Sequence, residues 1–509
     1  MVDDASLTMK TIFFAILLTA TATATAQTYT NGPLVEVSST NLVFDCVADD
    51  VAGQVGIGSV NFPNTEVEPW IVVNPINTSN VVGIWQQDRW NDGGSRSDII
   101  GTSFDGGVTW QAVPLPGITL CTGGTFQRAT DPWLSFAPDG ALHAQVLAID
   151  QDPETGGFGR NAILASKSID GGLNWSAPVT LIETNDINVL NDKNALTADP
   201  TDSSLVYAVW DRLQPFKNPL ADFTGPTLFA RSTDGGAAWE PARVLNKPGK
   251  FKQTIGNQIV VQPNGTLINV SVYINARKGG KARNAIAVQR SFDHGITWDK
   301  KLKRVVKTQP HSAFDFNGTG VFDPQSHQAL RTGDVIPAVA VDPVTGTLYA
   351  VWQDSQFSAN DFDEIAFAQS VDGRKWSKPI KINQTPGQGP GPNRQAFNPS
   401  IRVAADGTIC VTYYDFRNND HNDPLLTDVW AVFCKPSTNA PATVSTNWGN
   451  EVRLTDESFD FLQAPNARGF FLGDYEGLAA AGNDFLAFWS QPQDADRANI
   501  VFRRLTPVP

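Results

Sequence analysis

Carboxylate and guanidinium side chains stand at recurring places in this chain: Asp88-Arg89, Asp150, Asp211-Arg212, Arg277-Lys278, Asp354, and Asp415 with Arg417. Each follows a run rich in β-branched and aromatic residues, the signature of a strand. A Trp followed within three residues by Asp recurs there, so part of the pattern serves the repeat itself. Buried Asp–Arg pairs can fasten one unit to the next. Charged residues that occur once in the period are better candidates for chemistry. These are Glu68, Asp92, Arg128, Asp131, Arg331, Asp334, Arg394 and the run Asp474-Tyr475-Glu476. For each, a solvated loop charge is the competing explanation. Carboxyl groups facing cations suit glycoside hydrolysis, in which one acid protonates the leaving oxygen while a second group attacks or activates water.

The elements that must position these groups are repeats. The phrase S-x-D-x-G-x-x-W appears at Ser103–Trp110, Ser168–Trp175, Ser232–Trp239 and Ser291–Trp298, and one residue short at Ser370–Trp376. The first serines are 65, 64, 59 and 79 residues apart, which marks a structural period. Ser and Asp close a turn by bonding to nearby N–H groups. The second Gly takes positive φ, and Trp starts the return strand as a large apolar plate. Opening strands are expected near Pro69, Pro132, Asn194, Asn257, Pro337, Pro399 and Gly477, each followed by a second strand. The chain is therefore expected to be all-β: a seven-bladed β-propeller, with six blades as the alternative. A strand from the N-terminal lead-in (pieces at 34–37 and 41–44) would complete the last blade and remove an exposed sheet edge.

The repeated phrase resembles the Asp-box of the sialidase superfamily, over Pro69 to Trp376. In that family the box is a fold marker, usually away from the active site. The family's acid/base Asp lies on a loop after the first blade's second strand, where Asn91-Asp92-Gly93-Gly94 stands here. Its Tyr lies near the start of the last blade, where Gly473-Asp474-Tyr475-Glu476 stands. The resemblance thus implies Asp92 as general acid and Tyr475 as nucleophile, with Glu68 or Asp334 as helper base. Such a Tyr needs a carboxylate base and nearby cations. Arg89, Arg128, Asp131, Arg331, Arg394 and Glu476 would hold the substrate. The family's Phe/Tyr-Arg-Ile-Pro opening is replaced by Glu66-Val67-Glu68-Pro69, so a different set of arginines would grip the sugar. A glycan is the expected partner. The rival functions are a polysaccharide lyase acting on uronate-containing glycans and a carbohydrate- or protein-binding propeller without catalysis.

Composition sets the outer bounds. With 42 Gly, 33 Pro, 14 Trp and 29 Phe in 509 residues, the chain favours strands and turns. A net charge of −14 argues against a nucleic-acid partner. Lys10, the short apolar run 12–18 and Ala22–Gln27 read as a secretory signal peptide over residues 1–26, with Met9 as a possible start. The run is too short to span a bilayer. A lead-in (27–63) and the propeller (64–509) follow. The protein is expected to be secreted, extracellular and monomeric, with no membrane partner. Four cysteines suit an oxidising compartment, with Cys410–Cys434 and Cys46–Cys121 as the expected pairs. Sequons at Asn77, Asn174, Asn264, Asn269, Asn317 and Asn383 are candidate glycan acceptors. No cofactor is expected, and five His without ligand spacing argue against zinc. Calcium on the loops 361–364 or 418–423 is the one metal the sequence leaves open.

Overall fold

A computed structural model describes residues 27–48, 58–152, 157–215, 217, 222–276, 282–310, 320–386, 391–420, 424–493 and 496–509. The expected signal peptide, Arg277-Lys278, the Asn317 sequon and the end of the 418–423 loop lie outside these residues. The strands form antiparallel stacks of four, each in chain order. Glu66–Val73, Val81–Arg89, Ser95–Ser103 and Gln111–Pro114 make the first stack. Arg128–Phe136, Leu142–Gln151, Phe158–Ser168 and Val179–Thr184 make the second, joined to the first by the pair Ser95↔Ala129. The pattern recurs from Leu190–Ala198, Lys252–Val261, Ala338–Val341, Ala396–Val403 and Gly477–Ala481.

Each of these opening strands lies against the opening strand of the next stack, and Gly477–Ala481 lies against Glu66–Val73. The sheets therefore close on themselves around an axis lined by the opening strands, the layout of a β-propeller. Tyr29–Glu36 pairs with Asp496–Pro507 and becomes the outer strand of the final sheet. The stretch 41–44 is not a strand. Asn41 closes a turn there, its Oδ1 accepting from the Val43 N–H at 3.0 Å.

The repeated phrase forms the turn its residues dictate. In the first copy the Ser103 Oγ donates to Asp105 (2.8 Å) and accepts from the Gly107 N–H (2.8 Å). Asp105 accepts from the Val108 and Thr109 N–H groups at 3.0 and 2.9 Å, and the Trp110 Nε1–H donates to the Gly107 carbonyl at 3.0 Å. Gly107 has φ 98°, and a Cβ there would stand 2.2 Å from the Phe502 ring. Only glycine meets both conditions.

At the end of four second strands a Trp is fully buried: Trp85, Trp210, Trp352 and Trp489. Three of them satisfy Nε1–H on the residue two places on, Gln87 at 3.1 Å, Asp354 at 2.7 Å and Gln491 at 2.9 Å. This explains part of the recurring Trp-x-Asp signal. Asp354 is a Trp acceptor, and Asp211 accepts from the Gly256 N–H of the neighbouring opening strand at 2.8 Å. Asp150 pairs with Arg160 at 2.8 Å, and Asp415 with Arg417 at 2.6 Å.

Two expectations are corrected by register and burial. Cys410 and Cys434 are both free and buried. Cys434 pairs with Ile409, while Cys410 pairs with Phe433. This one-residue offset sends the two thiols to opposite faces of one sheet, into different core clusters. Cys46 and Cys121 are bonded, with Cα atoms 5.7 Å apart. Among the sequons, Asn269 and Asn383 are buried, so neither can carry a glycan on the folded chain.

Candidate functional site

The opening strands share one irregularity that builds the site. Register shifts between Val67 and Trp70, Thr130 and Trp133, Asp192 and Ala195, Ile255 and Gln258, and Phe397 and Ser400 insert a bulge into each. The bulged residues are Glu68, Asp131, Lys193, Gly256 and Asn398, with φ of 54°, 52°, 45°, 64° and 48°. Asp334, at φ 39°, stands ahead of Ala338–Val341. A left-handed conformation costs a non-glycine residue roughly 1–3 kcal/mol and tends to persist where function demands it. The opening strands also begin three to five residues before several of the expected starts, because pairing continues on the far side of the bulge.

Three of the bulges, those at Glu68, Asp131 and Lys193, deliver their side chains to one cluster on the axis. The Lys193 Nζ lies 3.3 Å from Glu68, 2.7 Å from Asp131 and 2.5 Å from Asp474. Arg331 reaches Asp474 at 3.3 Å and donates to the Ala467 carbonyl at 3.1 Å. Burial works against the Lys193 charge, but Asp131, Asp474 and Glu68 outweigh it and hold the ammonium well above its ordinary range. Burial raises Glu68 to about 7, with Lys193 pulling the other way. Asp474 is held below the usual carboxylate range: burial opposes its charge, but Lys193 and Arg331 prevail. Asp98 lies buried near this group, and neither of its carboxyl oxygens has a hydrogen-bond partner among the described residues. Burial, then Asp131 and Glu68, push its carboxyl well above the usual range, with Arg89 pulling the other way.

Asp92 sits at the mouth of this assembly. It lines a cleft of about 400 Å³ with Asn91, Gly157, Phe158, Asn466 and Arg468. Its Oδ1 accepts from the Arg128 guanidinium at 2.6 Å, and its Oδ2 accepts from the Ser59 hydroxyl. Arg128 also donates to the Gly93 carbonyl at 2.8 Å and stacks over Trp90 at 4.2 Å. Arg468, at φ 66°, links cleft and cluster: burial and the charge of Arg331 lower its pKa, while Asp474, Asp192 and Asp92 act in the opposite sense. Arg89 and Arg331 both stack on Phe471, at 5.0 and 4.1 Å. Burial, then Arg331, bring Arg89 down to about 10.

Tyr475 lies deeper. Its ring meets Trp70 and Trp133 edge-on at 6.2 and 5.5 Å, and those two indoles stack at 3.6 Å. Its hydroxyl donates to the Pro132 carbonyl at 3.2 Å. Burial, then Glu68, raise the phenol well above 10. Asp92 is held at Arg128 and Tyr475 at Pro132, four residues further along one strand, or roughly 13 Å of chain.

The remaining expected residues make contacts of their own. Asp334 accepts from the Thr332 hydroxyl at 2.7 Å. Arg394 stacks over Phe362 at 5.0 Å. Glu476 is buried behind Tyr475, accepting from the Ser490 N–H at 3.2 Å. Among the described residues no group of three or more His, Cys, Asp or Glu is placed to hold a metal ion. On the loops considered for calcium, Glu364 pairs with Lys381 at 2.6 Å and Asn418 donates to Asp428 at 2.7 Å. Lys193, Asp98 and Arg468 were not singled out from the sequence. Lys193 stands just before Asn194, as Glu68 does before Pro69 and Asp131 before Pro132, and aligning those positions finds it. Nothing in the sequence marks Asp98 or Arg468.

No family model matches the chain, and no curated protein matches it in sequence. Among solved structures it is similar to a Dyadobacter fermentans protein of unknown function, at 14% identity over 90% of this chain and 100% of that one, with TM-score 0.46. It is also similar to the Hadza microbial sialidase Hz136, at 15% identity over 82% of this chain and 75% of that one, with TM-score 0.45. The α-L-arabinofuranosidase Arb93A of Fusarium graminearum shows 13% identity over 70% of this chain and 92% of its own, with TM-score 0.44.

Proposed function

We propose that this chain is a secreted, sialidase-like glycoside hydrolase on a seven-bladed ring, and that the cleft beside Asp92 takes an acidic sugar at a glycan end or within a polysaccharide. One observation carries the reading. A partly exposed carboxylate, fixed by a buried arginine, faces Arg468 across a sugar-sized cleft, and Arg468 adjoins the Arg331–Asp474 pair and the Phe471-stacked Arg89. Such a group of guanidinium ions suits a carboxylate ligand. Asp92 serves as the general acid. Arg128 orients it, and Phe158 offers a flat apolar face to a sugar ring. Glu68, raised to about 7, is the group suited to take a proton from Tyr475 near neutral pH. For that transfer the Tyr475 hydroxyl must leave the Pro132 carbonyl and the substrate must reach down from the mouth.

The same Tyr475–Pro132 hydrogen bond favours a second reading, a glycan-binding propeller in which Tyr475 is only a packing plate. Released sugar from a panel of neutral and acidic glycans, measured for wild type, Asp92→Asn and Tyr475→Phe, separates the two. The hydrolase reading expects turnover on acidic glycans that both variants lose. Binding without turnover, unchanged by Tyr475→Phe, supports the binding module. An unsaturated uronate product would show a lyase instead.

A further inference from the structure

We propose that the chain's N-terminal segment is part of the candidate site, with Ser59 as the positioning residue for Asp92; this rests on Asp92 being the acid of the proposed reaction. The segment runs beside the end of the strand Val81–Arg89 and the loop after it. Phe62 N–H donates to the Arg89 carbonyl at 2.8 Å, and Asn91 N–H to the Val60 carbonyl at 2.9 Å. The Asn91 side chain binds in both directions, accepting from the Val60 N–H at 2.9 Å and donating to the Gly58 carbonyl at 3.0 Å. Asn61 pairs with Trp90 across an antiparallel bridge and donates to the Asp88 carbonyl at 2.8 Å. These bonds hold the chain from Asp88 to Asn91, up to the residue before Asp92.

Behind the ladder the segment is anchored on Asp88, a buried carboxylate at φ 60°. Asp88 accepts from the Asn41 side chain at 2.7 Å, the Asn64 N–H at 2.9 Å, Gln87 at 3.2 Å and Arg96 at 3.3 Å. Arg96 also donates to the Phe44 carbonyl at 3.2 Å, close to the disulfide of Cys46 with Cys121. Two regions of the lead-in are thus tied to one buried residue at the root of the Asp92 loop.

The consequence at Asp92 is specific. Arg128, from the second stack, holds one carboxylate oxygen, and Ser59 holds the other. With Arg128 alone the carboxylate keeps one tether and can rotate about its Cβ–Cγ bond. With both, its plane is fixed relative to the cleft, and the Ser59 hydroxyl can follow a proton change by turning from donor to acceptor. Fixing a reacting group within a narrow angle is worth one or more orders of magnitude in rate.

The test compares Ser59→Ala and Ser59→Thr in the full chain. Loss of one hydrogen bond to a charged group predicts a roughly ten- to hundredfold fall in kcat for Ser59→Ala. KM and melting temperature should change little, and Ser59→Thr should restore rate because it keeps the hydroxyl. In parallel, amide hydrogen exchange at Asn91–Gly94 should accelerate in Ser59→Ala while the 103–110 turn stays as in wild type. An unchanged kcat together with unchanged exchange overturns the positioning role. If wild type turns over no glycan, the hydrolase reading fails by itself. Faster exchange confined to Asn91–Gly94 then still establishes that Ser59 orders the Asp92 loop, and unchanged exchange removes both ideas.

Discussion

Replacing Lys193 by methionine is the most informative perturbation of the axis, because a single ammonium there serves three carboxylates from separate parts of the chain. Glu68, Asp131 and Asp474 lie 3.3, 2.7 and 2.5 Å from it, and all are buried. Removing one partner of a buried ion pair costs about 3–5 kcal/mol. Arg331 remains for Asp474, so Glu68 and Asp131 bear most of the loss, and about 4 kcal/mol is expected at pH 8. The pH dependence has a definite sign. Glu68 and Asp131 are raised by burial, with Lys193 opposing that rise. A carboxyl raised in the folded state contributes stability that is fully present below its unfolded pKa and lost as pH climbs through the folded one. For wild-type Glu68 that window runs from its ordinary 4.5 to about 7. Without the lysine the folded values move higher, the window widens upward, and the penalty grows with pH. At pH 5 Glu68 takes up a proton and the penalty shrinks to about 1–2 kcal/mol. For a chain of this length 1 kcal/mol shifts Tm by only about 1 °C, so denaturant unfolding at pH 5 and pH 8 is the better assay. Equal losses at the two pH values, or a loss below about 1 kcal/mol at pH 8, would falsify the idea that Lys193 neutralises this cluster.

Other outcomes follow from the same geometry. Asp92→Asn should lower glycan turnover by a factor of about 10²–10⁴ while leaving the unfolding midpoint within about 1 kcal/mol of wild type, because its carboxylate is partly exposed. Non-reducing peptide mapping should find Cys46 joined to Cys121 and both Cys410 and Cys434 alkylated only after denaturation. Cys46→Ser should cost up to about 4 kcal/mol, the loop-closure value for a separation of 75 residues. Gly107→Ala, which places a methyl 2.2 Å from the Phe502 ring at φ 98°, should destabilise by more than about 2 kcal/mol. Gly249→Ala, at φ 89° with nothing within 4 Å, should cost only about 1 kcal/mol.

The architecture was legible because its signals are local and repeated. The Ser103–Trp110 phrase specifies a turn through bonds that begin and end within eight residues, so each copy can be read on its own. The residues just before the opening strands were legible for a related reason. Glu68 and Asp131 precede Pro69 and Pro132, two expected strand starts, and were singled out; Lys193 precedes Asn194 in the same way and was missed, though all three occupy their strands' bulges. The fifth opening strand broke the rule. Pro337 is preceded by Ile336, while the left-handed residue is Asp334. What the sequence hid is what only three-dimensional closure creates. Arg468 is a loop residue until the ring brings it near Arg331 and Asp92, and Asp98 is one polar residue in a strand until burial strips its partners. The Cys410–Cys434 expectation failed on strand register, since a neighbouring-strand argument cannot distinguish two residues facing each other from two facing opposite sides. Arg394 was placed correctly ahead of an opening strand, and its stacking on Phe362 is a contact the sequence did not signal.

The strand Tyr29–Glu36 meets its partner across 476 residues of chain, as in the contact of Thr30 with Thr506. During synthesis at about 5–20 residues per second, it is made on the order of 25–95 seconds before its neighbour exists. Throughout that interval every completed sheet leaves the circle open, and the earliest strand is an unpaired edge of the kind that recruits other chains. Closure is therefore the slowest contact to form by loop length. The two ends of the unfinished circle stay exposed until Asp496–Pro507 has been made.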